Sequence, residues 1–390
     1  MKPNRLEDSL IVGRKLKQKA ASSSDLCKLF QAFVVIFVVC LLLILGGNCL
    51  RKQVAKTRDS SKNIVLIEEL LPSEENQEEK EAFLRFIKEF KRENLKDDPT
   101  ELLRRFEIFT QNLKEIQKLQ EANPNTLFEI NEFSDYSDEE LKSRLISYSD
   151  FVQEIDQIKN LPYSNPVETS FKEDLSRPAF FDWRTKNKVT RVKDQGQCGS
   201  CFAFAVTGVV ESQLAINKNQ LLELSEQQIL DCDLATNACQ GGYRPYAFKF
   251  VKEHGLTLEK LYYYVAKKQE CRNITSPLYK IDGYRYLGTD EDSLANWLVN
   301  HGPFSIGVNV TKGMYQYSSG VFSPSQEDCA FNSLGSHAMT VVGYGEMNGE
   351  TYWLLKNSWG SSYGDSGYLK MKRGADSCGI AKTAFTASVN

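Results

Sequence analysis

The apolar positions along the chain divide it into three textures. Residues 32-AFVVIFVVCLLLIL-45 are unbroken apolar, and Leu29, Phe30 and the flanking glycines extend the run to roughly 17–20 residues, about the length that spans a bilayer. From 74 to 121 the chain is dense in Glu and Lys. Phe83, Phe86, Ile87 and Phe90, then Leu102, Phe106, Phe109, Leu113 and Ile116, recur at helical spacing. This predicts two amphipathic helices broken near 97-DDPT-100, where Asp97 or Asp98 can cap and Pro99 can begin the second. The stretch 127-LFEINEFSDYSDEEL-141 predicts a short strand and then an acidic Ser/Asp cap. Residues 146–178 carry no strong periodicity and contain Pro162, Pro166 and Pro178, so an extended linker open to proteolysis is expected. Beyond 178 the chain turns to glycines, tyrosines and short strands. One helix is predicted over 201-CFAFAVTGVVESQLAI-216, with Ser200 as N-cap and residues 202, 206, 209, 210 and 214 on its apolar face. A second starts at the capping-box pattern 225-SEQQ-228. Residues 337-HAMTVVGYGEMNGETYWLLKNSW-359 predict two strands joined at Asn348-Gly349, which sets Thr340 opposite Asn357.

Charge sharpens the picture at the N-terminus. Some 28 mostly polar residues precede the apolar run, Lys2, Arg5, Arg14, Lys15, Lys17, Lys19 and Lys28 among them. A cleaved signal peptide begins closer to its initiator and has a shorter core of about 7–15 residues. Residues 29–50 are therefore expected to form an uncleaved anchor, with 1–28 cytosolic and the C-terminal side lumenal. Arg51, Lys52, Lys56 and Arg58 make the charge bias modest. The net charge of −3 argues against nucleic acid as an obligate partner. Asn273-Ile-Thr and Asn309-Val-Thr are acceptor patterns for N-glycosylation in a lumenal domain.

The ten cysteines are uneven: Cys27, Cys40 and Cys49 accompany the apolar run, and seven lie between 198 and 378. An odd number in an oxidising compartment suggests three bridges and one free thiol. The pair Cys198-Gly-Ser-Cys201 admits three chemistries. A zinc site needs about four ligands, and no second C-x-x-C or H-x-H exists. A redox dithiol expects a compact βαβ surround. In the third reading Cys201 is a nucleophile on the first turn of a helix, whose positive end favours thiolate. His337 and Asn357 meet near one end of the predicted hairpin, so a base and an amide that orients it complete a thiol-protease arrangement.

The residues around that pair make the chain resemble the papain-like cysteine proteases. Cys198-Gly199-Ser200-Cys201-Phe202 is followed by His337 and Asn357, at 136 and 156 residues beyond Cys201, close to the family's spacing. Further matches are 178-PAFFDWR-184, 224-LSEQQILDC-232, 239-CQGG-242 and 356-KNSWG-360. The resemblance implies an α+β, two-lobed fold with a helical left lobe and an antiparallel, barrel-like right lobe over 177–390. Residues 80–145 resemble the family's helical inhibitory prodomain, through Glu101, Arg105, Ile108, Phe109, Asn112 and Ile116, with Gln120 where Asn is usual, and through Asn131-x-Phe133-x-Asp135. Residues 51–79 and 146–176 would be linkers, the latter holding the activation cut.

By resemblance Cys201 is the nucleophile and His337 its base. Asn357 orients the imidazole, Gln195 supplies the oxyanion hole, and Trp359 covers the His–Asn bond. Gly241 and Gly242 pair with an extended substrate; Tyr243, Arg244, Gly307, Ala338 and Thr383 line the pocket for P2, the second residue before the cut bond. Small residues at 307 and 338 leave it roomy, and no carboxylate stands at 383, so apolar P2 residues are expected. The implied bridges are Cys198–Cys239, Cys232–Cys271 and Cys329–Cys378. Phe202 and Tyr363 stand where Trp is usual, and altered packing on the leaving-group side is expected. The partners implied are protein and peptide substrates, the chain's own prodomain and the membrane. The mature domain is expected to be a monomer without metal or cofactor. Tail, span, prodomain and enzyme together look like the type II membrane-anchored papain-like proteases of apicomplexan parasites, which suggests an acidic vacuole or lysosome-like compartment. A silent papain fold serving as a scaffold is the rival, but Gln195, Cys201, His337 and Asn357 are all present.

Overall fold

A computed structural model describes residues 67–71, 77–158, 177–274 and 277–390. The expected anchor at 29–50, Cys27, Cys40, Cys49 and residues 159–176 lie outside the described residues. Among the described residues no helix is long and apolar enough to cross a membrane.

Helices α1 (Gln77–Glu89) and α2 (Pro99–Ala122) follow the predicted periodicity. Asp98 caps α2, accepting from the Glu101 N–H at 3.1 Å, and Pro99 occupies the first turn. There its missing N–H leaves no bond unmade. Phe83 lies 5.2 Å from both Phe106 and Phe109, so an aromatic seam holds the two helices. Strand β1 (Thr126–Phe128) follows, then α3 (Asp138–Lys142) behind a complete capping box of Ser137 and Glu140. Gln120 keeps the role an amide has at its position. It donates to the Thr126 carbonyl at 2.9 Å and accepts from the Phe128 N–H at 3.1 Å, tying α2 to β1.

Residues 146–176 are not the uniformly extended linker that was expected. Tyr148–Ile158 form helix α4, with Phe151, Ile155 and Ile158 spaced i, i+4 and i+7.

From 177 onward come β2 (Phe181–Asp182), α5 (Cys201–Asn217), α6 (Glu226–Cys232), α7 (Arg244–His254), β3 (Gly283–Tyr286), α8 (Glu291–His301) and β4 (Phe304–Val310). They are followed by α9 (Lys312–Gln316), β5 (Tyr317–Gly320), α10 (Gln326–Phe331), β6 (Gly335–Met347), β7 (Glu350–Lys356), β8 (Tyr368–Lys372) and β9 (Phe385–Ser388). The large sheet runs β3-β9-β4-β6-β7-β8, with β2 pairing β6; a small one pairs β1 with β5. Three disulfides join Cys198–Cys239, Cys232–Cys271 and Cys329–Cys378.

Among the described residues two large apolar cores form, beside a smaller cluster around Val342 and Leu354. One, around α5, α6 and α7, includes Val206, Val210, Ile229, Phe248 and Val251; the other, inside the large sheet, includes Ile306, Val341, Trp353 and Leu369. The sheet core also takes in Phe128, Phe133, Leu141 and Leu145, so the preceding segment packs as part of the enzyme's interior. Every residue of α5 from Cys201 to Ala215 is buried, which replaces the expected single apolar face. A helix enclosed on all sides lies between layers, and its Glu211 is ion-paired to Lys193 at 3.2 Å, beside Glu226 at 2.7 Å.

The hairpin turns at Asn348-Gly349, both with positive φ (52° and 81°), as a tight two-residue turn requires. Its register differs from the expected one beyond Gly343. An irregularity between Val341 and Gly343 moves the pairing by one residue, and Thr340 faces Lys356 instead of Asn357. The extra residue, Val342, is a bulge that re-aims the strand end carrying His337.

Candidate active site

Cys201 opens α5, so its backbone N–H has no acceptor within the helix. Ser200 occupies the N-cap position without a side-chain cap bond. Its hydroxyl instead meets Tyr264 Oη at 2.6 Å, and Tyr264 donates to the Gln195 carbonyl at 2.7 Å. The expected side-chain cap is thus spent on fixing the loop before the helix. At 225-SEQQ-228 only half a capping box forms: Ser225 accepts from the Gln228 N–H at 3.1 Å, while the Gln228 amide turns to Gly255 and Thr257. Cys201 is the one free cysteine among the described residues, and it is buried.

His337 comes from β6, beside Ala338, whose backbone N–H favours the Cys201 thiolate. The His337 Nε2 lies 2.7 Å from the Asn357 Oδ1. An amide oxygen only accepts, so this bond places the proton on Nε2 and leaves Nδ1 with its lone pair. That Nδ1 is buried without a hydrogen-bond partner. Trp359 covers the ring at 4.6 Å and stacks on Tyr315 at 4.2 Å. Gln195 is fully buried; Ser358 Oγ donates to its Oε1 at 2.7 Å, and its Nε2 donates to the carbonyls of Cys198 and Arg144, each at 2.8 Å.

The site is occupied by the chain's own residues. Phe133 sits 5.3 Å from Tyr315 and 5.8 Å from Trp359, and Asn131 Nδ2 donates to the Tyr315 carbonyl at 2.7 Å. The chain then passes Gln195 at Arg144. Ile146 makes two backbone bonds with Ser336, at 2.9 and 2.8 Å. A Cβ added at Gly241 would lie 3.2 Å from the Ile146 side chain, so the glycine makes room for this strand. Helix α4 then enters the pocket of Tyr243, Arg244, Gly307 and Thr383. Tyr243 Oη donates to Gln153 at 2.9 Å, Arg244 pairs with Glu154 at 3.2 Å, and the Phe151 ring lies over Gly307. Ala338, buried beside His337, pairs across the sheet with Gly307.

Enclosure sets the protonation state. Burial pushes the Cys201 thiol up to about 12, against the pull of the Ala338 N–H and the Arg244 guanidinium. It also drives the His337 imidazole down to about 4, although the Asn357 bond acts in the opposite direction. Both shifts favour the neutral forms in this closed state, opposite to the pull of the helix end on the thiol.

Phe202 lies beneath Gly242, where an added Cβ would stand 2.8 Å from its ring. It belongs to the helical core, whereas Trp359 belongs to the sheet core. Tyr363 meets Trp359 edge-on at 4.9 Å and donates to the Met314 carbonyl at 2.8 Å. Asn309 is buried in β4, its amide donating to the Cys329 carbonyl at 3.2 Å; the fold leaves no room for a glycan there. Asn273 is exposed. His254 is exposed, and His301 stacks on Trp297 at 4.2 Å, away from the site.

Sequence reasoning missed Arg144, Phe151 and Glu154 on the prosegment, and Tyr315, Ser358 and Tyr264 on the enzyme. The i, i+4, i+7 pattern of α4 was the available signal for the first group. The second acts through stacking and through hydrogen bonds to residues distant in the chain, which leave no local pattern.

Comparison with known proteins decides the family. Residues 177–388 match the description "Papain family cysteine protease", and residues 83–141 match "Cathepsin propeptide inhibitor domain (I29)". The chain belongs to the papain family of cysteine proteases. It is 38% identical over 296 residues to cathepsin F of Drosophila melanogaster, covering 73% of this chain and 46% of that protein. It thus spans under half the length of that relative. Chymopapain of Carica papaya is 36% identical over 293 residues, 73% of this chain and 80% of its own. Among solved structures, the digestive procathepsin L2 proteinase of Tenebrio molitor superposes with a TM-score of 0.69 at 31% identity, covering 80% of this chain and all of that one. The chain is a cysteine endopeptidase zymogen of this family, and its propeptide domain inhibits it from within.

Proposed function

We propose that Cys201, His337, Asn357 and Gln195 carry out peptide hydrolysis, and that residues 144–158 hold them silent until the prosegment is removed. The observation that carries the reading is the His337–Asn357 bond at 2.7 Å, with His337 Nδ1 buried and unpartnered and the free Cys201 thiol buried at the start of α5. Once solvent enters, the Cys201 thiol gives its proton to Nδ1 and the thiolate attacks the scissile carbonyl. Gln195 Nε2–H and the Cys201 N–H hold the oxyanion. The imidazolium then protonates the leaving amine, and a thioester remains for water to hydrolyse with His337 as base.

The prosegment resists cleavage because it runs the wrong way. It passes from Trp359 to Gln195 and on to the Arg244 pocket, whereas a substrate with P2 in that pocket runs toward Trp359. The Phe151 ring against Gly307 supports apolar P2 side chains. Membrane delivery through 29–50, an acidic vacuole or lysosome-like compartment, activation between about 165 and 178, and a glycan on Asn273 complete the proposal. They rest on the sequence pattern and the resemblance. Holding the protein at pH 5 with mild thiol and a fluorogenic peptide carrying Leu at P2 tests the reading. Cleavage lost with both Cys201→Ala and an epoxysuccinyl inhibitor is expected. A folded, prosegment-free enzyme that stays silent would favour a scaffold role.

A further inference from the structure

The pocket that receives α4 holds a cation as well as an apolar wall. Arg244 is 1% exposed. Its Nε and Nη2 each donate to one oxygen of Glu154 at 3.2 Å, Nη2 also reaches Thr383 Oγ1 at 2.5 Å, and Nη1 reaches Ser305 Oγ at 3.5 Å. The guanidinium further lies 5.7 Å from the Phe385 ring centroid. Among the described residues Glu154 is the one carboxylate in ion-pair contact with Arg244, and Glu154 belongs to the segment that leaves on activation.

A guanidinium cannot shed its proton, and it presents five donors in a planar fork. With Glu154 gone, two hydroxyls and a ring face remain. A desolvated cation in such a setting strongly favours any anion that can reach it. The prosegment displays the shape that fits. Phe151 covers Gly307 while Glu154, one turn on, delivers a carboxylate to Arg244. Gly307 marks their junction, since a Cβ added there would stand 2.8 Å from Phe151 and 3.2 Å from Arg244 Nη2. A P2 glutamate matches both halves: its two methylenes lie along Gly307 and its carboxylate takes the place of Glu154.

We propose that Arg244 is a specificity-determining residue that lets this protease accept glutamate at P2 in addition to apolar residues. The inference rests on the proposed reading that this pocket receives P2. It enlarges the expectation drawn from Thr383, which addressed basic side chains only and left the charge of Arg244 out of account.

The test uses enzyme matured from the full-length chain and three peptides that differ only at P2: Leu, Glu and its neutral isostere Gln. At pH 6 the glutamate is ionised. The expected kcat/KM for Glu exceeds that for Gln by at least about tenfold, the ordinary advantage of a charge-assisted bidentate contact over a neutral one. Arg244→Met brings the Glu-to-Gln ratio, read within the variant so that any change in its overall rate cancels, to about 1, while Arg244→Lys keeps part of the preference. Leu cleaved well with Glu no better than Gln would overturn the inference, as would a ratio that survives Arg244→Met. Should Arg244→Met fail to fold, the wild-type comparison decides alone. No cleavage of any of the three peptides would instead overturn the protease reading itself.

Discussion

The side-chain amide of Gln195 donates to the main-chain carbonyl of Arg144 at 2.8 Å, so the proposed oxyanion donor is engaged by the prosegment before any substrate arrives. In the proposed mechanism the same N–H serves the oxyanion once Arg144 has left. Ser358 Oγ holds the far end of the amide at 2.7 Å, which leaves the group pre-aimed.

Gln195→Ala in the matured enzyme is expected to lower kcat by about 10²–10³, the usual effect of removing one such donor, with KM changed far less. Steady-state kinetics on a Leu-P2 peptide measure it. A fall in kcat of less than about threefold would remove Gln195 from the oxyanion hole.

Closure of the prosegment should depend on pH with a defined sign. His337 sits at about 4 in the closed form, well below the 6.5 of a solvated ring. A base depressed by burial contributes closure that is complete above about 6.5 and lost as pH falls toward 4. At about 1.4 kcal/mol for each pKa step, the loss approaches about 3 kcal/mol. Cys201, pushed up to about 12 from 9.0, adds an opposite limb, and closure weakens as pH climbs past about 9. Glu101, held down at about 2 chiefly by its bond to Arg104, adds stability that is full above about 4.5 and is lost only as pH falls below it. Protease nicking of the prosegment should therefore be slowest between pH 6.5 and 9. In Cys201→Ser the alkaline limb should vanish and the acid limb remain. A flat profile from pH 7 to 5 would contradict the role given to His337.

Phe133 anchors the prosegment between Tyr315 and Trp359. Phe133→Ala removes a fully buried ring, at a cost of about 3 kcal/mol or more, equivalent to roughly a hundredfold in the closing equilibrium. Faster activation of the zymogen at pH 5, with unchanged kcat/KM after maturation, is the expected result. Asn112 Nδ2, which donates to the Ser134 and Tyr136 carbonyls at 3.0 and 3.1 Å, holds the same turn, so Asn112→Ala should shift activation in the same direction.

The two glycosylation patterns should separate cleanly in a secretory host. Asn273→Gln is expected to abolish a mobility shift on deglycosylation. Asn309→Gln should leave the shift unchanged, because Asn309 is buried with its amide bonded to Cys329.

Much of this was legible in the sequence. Helices α1 and α2 and the 348–349 turn were readable because periodicity and turn residues act locally. The residues of the site were named through the motifs that carry the resemblance. What the chain did not disclose locally is tertiary. The Val342 bulge that moves Thr340 opposite Lys356 is set by packing. The all-round burial of α5 follows from its place between two cores. The protonation of Cys201 and His337 depends on a prosegment whose entry into the cleft no short pattern encodes. Helix α4 shows its apolar spacing only at Phe151, Ile155 and Ile158, in a stretch that runs into Pro162 and Pro166, so the local pattern is too short to stand out from a linker.

Intact-mass analysis of epoxysuccinyl labelling tests the central claim most directly, with the full-length zymogen sampled at pH 7 and again after maturation at pH 5. A cleft closed over Cys201 predicts no adduct at pH 7. After the prosegment is lost it predicts a single adduct, mapped to the peptide carrying Cys201, in step with complete loss of activity. Prompt labelling of the intact zymogen at pH 7, or activity that persists after Cys201 is fully labelled, would contradict the account.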